Sequence, residues 1–431
     1  MTQYDYNKNN SKTAGNIRLF PAQLETQSFG SLQVRCTSPD FLPIANASVI
    51  ISYPGEPGNV VEQLTTNDSG LTETISLPAP SIDYSLAPTT VQPYSLYDVR
   101  ISAPQFDNIT VSSVEILPDV TAEQDAELTP VVPPELVEEL FVIPPHTLFG
   151  DYPPKIPEDE IKPTAETGEI VLSRVVIPEY VIVHDGPPTD AAANYWVRFR
   201  DYIKNVASSE IYATWPENTI YANVFAILSF TLNRVYTEWY RNKGFNFTIT
   251  SSTAYDHKWI RGRNIYTNIG LIVDSVFVNY LSRPNVKQPI LTQYCDGNRT
   301  QCPNWLSQWG SKSLGDQGYT PIQILRYYYG SSIYINTAIE VSGVPASWPG
   351  HNLTIGARGG NVRMIQEQLN RISQAYPAIP KIAVDGVYGA KTADAVRAYQ
   401  RIFGLPATGI VDFPTWYKIS AIYVGVARLA Q

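Results

Sequence analysis

A chain of 431 residues is too long for one ordinary domain and is expected to form two to four folding units. Hydrophobic residues at 44% and charged residues at 16% favour packed globular units over a disordered chain; 28 tyrosines and 34 prolines are generous for an intracellular enzyme, and Tyr-rich, weakly charged surfaces suit sugars. A net charge of −9 argues against nucleic acid as the default partner, because phosphate binding needs a basic face.

Residues 1–29 are polar and are expected to be disordered. Their first twenty lack the basic, apolar and small-residue succession of a secretory leader. No window holds the roughly eighteen uninterrupted apolar residues of a membrane span, so the expectation is a soluble protein made in a cytoplasm. Three cysteines do not make a disulfide framework. Cys295 and Cys302 are two ordinary loop thiols, a pair, or part of a metal site, and the sequence leaves these open.

Over residues 30–129, short alternating runs such as SLQVRC, ASVIISYP and YDVRISA are separated by Pro, Gly, Asn and Asp clusters. This predicts a small antiparallel β-sandwich. No histidine, paired carboxylate or glycine loop stands out in it, so it reads as structural or regulatory, with carbohydrate binding as the alternative.

Residues 130–167 are acidic and Pro-rich and predict an extended, solvated linker. The embedded LVEELFVI is apolar enough to dock on a neighbouring domain, and a proteolytic activation site would also be at home in such a stretch. His146 reads as an ordinary surface residue.

The block 168–350 is expected to be α+β and mostly helical. After a strand-like EIVLSRVVIPEYVIVH, residues 195–211 predict an amphipathic helix with Phe199, Ile203, Val206 and Glu210 on one face. Thr214-Trp215-Pro216-Glu217 fits a capping box opening a second, largely buried helix that runs to about Tyr240. Glu210 thus shares a core-facing stripe and lies near the negative pole of its helix. Both effects raise its pKa, as a general acid for glycosidic cleavage requires. Spacing alone leaves a second reading open, a helix-terminal glutamate hydrogen-bonded to nearby backbone. Residues 250–264 carry Tyr255, Asp256, His257, Trp259, Arg261 and Arg263. Aromatic faces stack on sugar rings and an Arg can pair with a lactyl or peptide carboxylate, so this loop is a candidate glycan groove. Simple packing on the core is the alternative. A zinc site from His257, Cys295 and Cys302 is conceivable, but Cys-x6-Cys is not a characteristic ligand spacing; no metal and no cofactor is expected.

Residues 351–431 predict a small three-helix unit with two similar turn-plus-helix halves. Gly359-Gly360 lead into the first helix, Asp385-Gly386 and Gly389 make a turn, and Thr392 and Thr415 cap the second and third helices.

Resemblance adds to this reading. VASSEIYATWPENTIYANVFAILSFTLNRVY resembles the start of the catalytic domain of the stage II sporulation D family of lytic transglycosylases, where a glutamate precedes a small-x-Trp-Pro turn and an Ala-rich helix. It is also similar to the spore cortex hydrolase family, which sets its catalytic glutamate before a helix ending in Asn-Arg-Val, here Asn233-Arg234-Val235. CPNWLSQWGSKSLGDQGYTPIQILRYYYG resembles the sporulation D signature through Ser307, Gln308, Gly310, Gly318, Leu325 and Tyr328. Where many members carry Gly-His-Gly, this chain has Cys302-Pro303-Asn304-Trp305, so that histidine's role would fall elsewhere, for example to His257. The resemblance implies Glu210 as the catalytic acid, with Tyr212, Trp215, Tyr255, Asp256, His257, Trp259, Ser307 and Gln308 around the substrate.

The C-terminal block closely resembles the peptidoglycan-binding domain 1 family through Val362 to Gln366, Asp385 to Gly389, Tyr399-Gln400, Gly404 to Gly409, Asp412 and Thr415-Trp416. This implies peptidoglycan binding carried by Asp385, Tyr388, Tyr399, Asp412 and Trp416. The order of parts resembles the clostridial spore cortex-lytic enzymes. That likeness implies a zymogen stored in the cortex and coat region of the spore, activation by a subtilisin-like protease cutting near the linker, and cortex glycan as substrate. The expected chemistry is lytic transglycosylation between N-acetylmuramic acid and N-acetylglucosamine, leaving 1,6-anhydro ends. A muramidase-type hydrolase using Asp256 as second carboxylate, or an inactive wall-binding scaffold, are the alternatives.

Overall fold

In the computed structural model, residues 28–131, 137–162 and 174–427 are described. The expected N-terminal disorder therefore lies outside the described residues, except that Ser28 and Phe29 already belong to the first strand.

Among the described residues, eight strands form the N-terminal unit: β1 (Ser28–Thr37), β2 (Ser48–Tyr53), β3 (Glu56–Thr65), β4 (Ile75–Ala79), β5 (Ser95–Ser102), β6 (Asn108–Ile116), β7 (Thr121–Glu127) and β8 (Glu138–Val142). Alternation decides their faces: Leu32, Val34 and Cys36 of β1 point inward beside Val49, Ile51, Val99, Ile101 and Val111, all essentially inaccessible. One sheet runs β3-β2-β5-β6-β8; the other runs β7-β1-β4 and is extended by Ile265–Tyr266 of the following block. The expected sandwich is therefore present, but β1 pairs with β7 and β6 with β8 in parallel, so it is not purely antiparallel.

The expected linker is more structured than its composition suggests. Its apolar run becomes β8, an edge strand that docks on β6 of the sandwich and also meets Arg261 of the middle block. Strand periodicity explains this, since Leu140 and Val142 face outward while Phe141 packs inward. His146 is wholly buried, which corrects the surface reading; its ring stacks on Tyr212 at 4.5 Å.

The helices are α1 (Asp83–Leu86), α2 (Phe199–Glu210), α3 (Glu217–Tyr236), α4 (Thr267–Val276), α5 (Gln308–Asp316), α6 (Pro321–Tyr329), α7 (Gly360–Ile372), α8 (Ala390–Ile402) and α9 (Phe413–Ala427). Apolar on most sides, α3 forms the axis of the middle block, with α2, α4, α5 and α6 packed around it. The first residues expected in α2 instead form a strand, Asn194–Arg198, paired antiparallel with Tyr180–His184. Tyr, Trp and Val at its centre suit that pleated edge. The capping box expected at Thr214–Glu217 does not form: Pro216 is the cap residue of α3, and Thr214 Oγ1 donates to Ser85 Oγ at 2.7 Å. Tertiary contact with the sandwich has taken the hydroxyl.

In the C-terminal unit two glutamines do equivalent work. Gln366 of α7 donates to Asp385, Val387 and Thr392 and accepts from the Gly386 N–H; Gln400 of α8 donates to Thr408, Ile410 and Thr415 and accepts from the Gly409 N–H. Each clamps the turn that follows its helix to the start of the next. Thr392 and Thr415 thus accept from glutamines instead of capping; Gly389 is the cap residue of α8, and Asp412 Oδ1 accepts from the Thr415 N–H at the start of α9. Among the described residues, no helix is long and apolar enough to cross a membrane.

Candidate active site

Glu210 closes α2 and is wholly buried. The three elements around it explain its position. Asn205, one turn earlier, donates to the Ile260 carbonyl at 2.7 Å and accepts from the Ile260 N–H at 2.9 Å, pinning the 250–264 loop to the helix. That loop then offers the Lys258 N–H to Glu210 Oε1 at 2.6 Å. From α5, Gln308 Nε2 donates to the Glu210 carbonyl at 3.1 Å, so the Ser-Gln turn and the acid share one corner. Ser307 does not face the carboxyl: its Oγ accepts from the Gly310 N–H at 2.9 Å and caps α5.

The second carboxyl oxygen, Oε2, makes no well-formed hydrogen bond, and neither does the Tyr294 hydroxyl in the same enclosure. Burial raises Glu210 above the ordinary carboxylate range. The Lys155 ammonium, the Lys258 N–H and the Tyr294 hydroxyl favour the ionised form without cancelling that rise. The result is a buried acid with one oxygen tethered by backbone and the other beside the Tyr294 hydroxyl.

Asp256 is spent differently. Its carboxylate accepts from Arg234 Nε at 2.7 Å, the Tyr240 hydroxyl at 2.7 Å, and the Thr250 N–H and hydroxyl at 2.9 and 2.7 Å. Oδ1 takes one donor and Oδ2 three, so this wholly buried carboxylate is committed to holding Arg234, Tyr240 and Thr250. His257 is also enclosed, with Nδ1 3.1 Å from the Tyr202 hydroxyl and its ring stacked on Tyr294. Burial, with Lys155 and Arg234 nearby, drops its pKa well below the ordinary value and keeps it neutral.

The aromatic candidates are mostly interior. Tyr212 and Trp215 are buried, with Trp215 Nε1 donating to the Ser85 carbonyl at 2.9 Å. Trp259 is buried against Tyr195; Tyr255 is half-buried. Arg263 is buried and pairs with Glu115 of β6 at 2.7 Å while donating to the Ser208 carbonyl at 2.6 Å. Arg261 pairs with Glu139 of β8 at 2.6 Å and lies over the Phe141 ring. In this arrangement the loop read as a glycan groove is covered by the sandwich and its edge strand. Cys295 and Cys302 form a disulfide, so neither thiolate is available to a metal beside His257.

In the C-terminal unit, Tyr388, Tyr399 and Trp416 are core residues with no exposure, so they shape the fold and present no face to a wall polymer. Asp385 holds its own turn through Val387 and Gln366. The residues that sequence reasoning missed are Tyr152, Lys155 and Glu158, from the expected linker, and Tyr294. The only local signal for the first three was three polar side chains among prolines.

Residues 358–419 match the family described as "Putative peptidoglycan binding domain", and the chain carries that domain at its C-terminus. No curated protein matches the chain. Solved structures similar to part of it include the Bacillus anthracis TIE protein (17% identity over 24% of this chain and 17% of that one, TM-score 0.18). Others are the minor pilin GBS52 of Streptococcus agalactiae (16%, 25% and 48%, TM-score 0.17) and a mutant catechol 1,2-dioxygenase of Acinetobacter radioresistens (11%, 28% and 59%, TM-score 0.18). The chain spans less than two thirds of each, and at these scores the likeness carries no functional argument.

Proposed function

We propose that this protein is a peptidoglycan lytic transglycosylase that acts on spore cortex glycan, is held in the spore as a zymogen, and is released by a subtilisin-like protease. The peptidoglycan-binding domain associates it with the cell wall. The observation that carries the chemistry is Glu210: a buried acid, raised by its surroundings, with one oxygen outside any well-formed hydrogen bond, while the neighbouring Asp256 carboxylate is engaged by four donors.

In the proposed reaction, Glu210 gives its proton to the oxygen joining N-acetylmuramic acid to N-acetylglucosamine. The C1–O bond breaks and an oxocarbenium-like centre develops. The carboxylate then takes the proton of the muramic 6-hydroxyl as O6 bonds to C1. Glu210 is regenerated, a 1,6-anhydro ring is formed, and no water is consumed. A hydrolase would need a second carboxylate to activate water, and the four donors on Asp256 weigh against that use.

The test is the product of the protease-processed chain on purified cortex. Anhydro-muramic ends are expected, and Glu210→Gln should slow their release about 10²- to 10⁴-fold. Reducing muramic ends without anhydro ends would overturn the transglycosylase reading. The second reading, an inactive wall-binding scaffold, draws on the complete enclosure of Glu210; no glycan release by the processed wild type would favour it, whereas equal activity of the Gln variant would remove Glu210 from the mechanism.

A further inference from the structure

We propose that residues 152–162 form an autoinhibitory strap, with Lys155 plugging the Glu210 pocket and Glu158 occupying Arg234. This deepens the zymogen reading above and rests on it.

The strap follows an extended path on the middle block. The Ile156 N–H donates to the Ala254 carbonyl at 2.8 Å, and Gln293 brackets the next residues, receiving the Glu158 N–H at 2.9 Å and donating to the Ile156 carbonyl at 2.8 Å. Further along, Leu291 donates to the Glu160 carbonyl at 2.8 Å, and Gln288 bonds both the N–H and the carbonyl of Lys162. At the upstream end Arg299, inside the loop closed by the Cys295–Cys302 disulfide, donates to the carbonyls of Thr147, Leu148, Phe149 and Gly150. Thr147 in turn bonds the Ser209 carbonyl, one residue before the acid.

From this path two side chains enter the acid's enclosure. Tyr152 is buried with its hydroxyl unbonded, and it feels the charge of Glu210. Lys155 is buried with its ammonium donating to the Asp256 carbonyl, 4.8 Å from the Tyr294 ring centre and 5.7 Å from that of Phe230. Burying an ammonium among aromatic rings is unfavourable unless a charge repays it. The Glu210 and Asp256 carboxylates offset part of that cost, and burial still lowers the Lys155 pKa. While Lys155 stays, its stem and ammonium fill space beside the acid that a glycosidic oxygen would need.

Glu158 sets the second lock. Both its oxygens are held by Arg234 Nη1 and Nη2, at 2.9 and 2.6 Å, in the forked geometry that suits a guanidinium and a carboxylate. With the strap gone, the same fork on buried Arg234 faces the vacated groove as a site for a carboxylate, such as the lactyl or peptide carboxylates of peptidoglycan.

The experiment compares wild type, Lys155→Met and Glu158→Gln as full-length uncut chains and after subtilisin processing. Anhydro-ended glycan release is one readout. Carbodiimide labelling of Glu210, read by mass spectrometry, is the other. Uncut Lys155→Met is expected to release glycan an order of magnitude or more faster than uncut wild type and to label at Glu210, with Glu158→Gln moving the same way should the Met variant fold poorly. Both variants as silent and unlabelled as uncut wild type, while processed wild type is active, would overturn the strap. So would loss of activity in processed Lys155→Met, since Lys155 would then belong to the catalytic machinery. Labelling of Glu210 in the uncut variants, with no anhydro product from them or from processed wild type, would uphold the strap and sink the transglycosylase reading instead.

Discussion

At the scale of single residues, Glu210 and Asp256 show how two nearby carboxylates come to differ. Both are enclosed, yet Glu210 receives one backbone N–H and Asp256 receives four donors, including a buried guanidinium. Asp256→Asn would leave Arg234 buried with half its charge unmet, and such losses cost about 3–5 kcal/mol. Chemical denaturation should therefore show a large drop in stability for Asp256→Asn. A catalytic base at that position would show lost activity with stability nearly unchanged. Gln308→Ala removes only the neutral bond to the Glu210 carbonyl and should cost about 1 kcal/mol. Glu210 was legible in the sequence because Phe199, Ile203, Val206 and Glu210 repeat at helical spacing. Lys155 was not, because nothing local to a Pro-rich run says which distant pocket it enters.

At the scale of elements, α2 is anchored to α4 through Asp274, which takes Lys204 Nζ at 2.7 Å and Arg200 Nη1 at 3.3 Å. Burial alone would raise this carboxyl, but Lys204 and Arg200 outweigh it and hold the pKa at about 2, below the ordinary 3.8. A depressed carboxyl adds stability that is complete above the unfolded value and lost as pH falls through the folded one. The α2–α4 anchor should thus be intact above pH 4 and lose roughly 2 kcal/mol between about pH 4 and pH 2. Thermal unfolding against pH should show that loss in wild type and a flatter acid limb in Asp274→Asn. Helix existence was readable from periodicity, whereas ends were not: β-favouring Asn194–Arg198 pairs with Tyr180–His184, and the Thr214 hydroxyl goes to Ser85. Strand β8 illustrates the same limit, since its alternation was present in EELFV but its partner β6 lies far back in the chain.

At the scale of the whole molecule, the sandwich and the middle block are joined by buried polar contacts more than by a tether. Ile265–Tyr266 adds to the β7 edge, Asn264 Nδ2 donates to the Glu115 carbonyl at 3.1 Å, and the Glu115–Arg263 pair lies where no water reaches. Burial raises Glu115 although Arg263 opposes it. Composition marked an extended, solvated linker between these units, but contacts of high sequence separation were invisible to it. They predict that cutting the chain between the units does not by itself part them: the sandwich should coelute with the rest on gel filtration at physiological salt, so that activation on processing rests on loss of the strap and not on departure of the sandwich. Glu115→Ala leaves Arg263 buried without its partner and should weaken the complex by about 3–5 kcal/mol. The Glu115→Ala, Arg263→Met double variant should recover part of that loss, because the second change removes the stranded charge. Immediate dissociation of the cut wild-type chain would show that the covalent connection, and not this interface, holds the sandwich over the site.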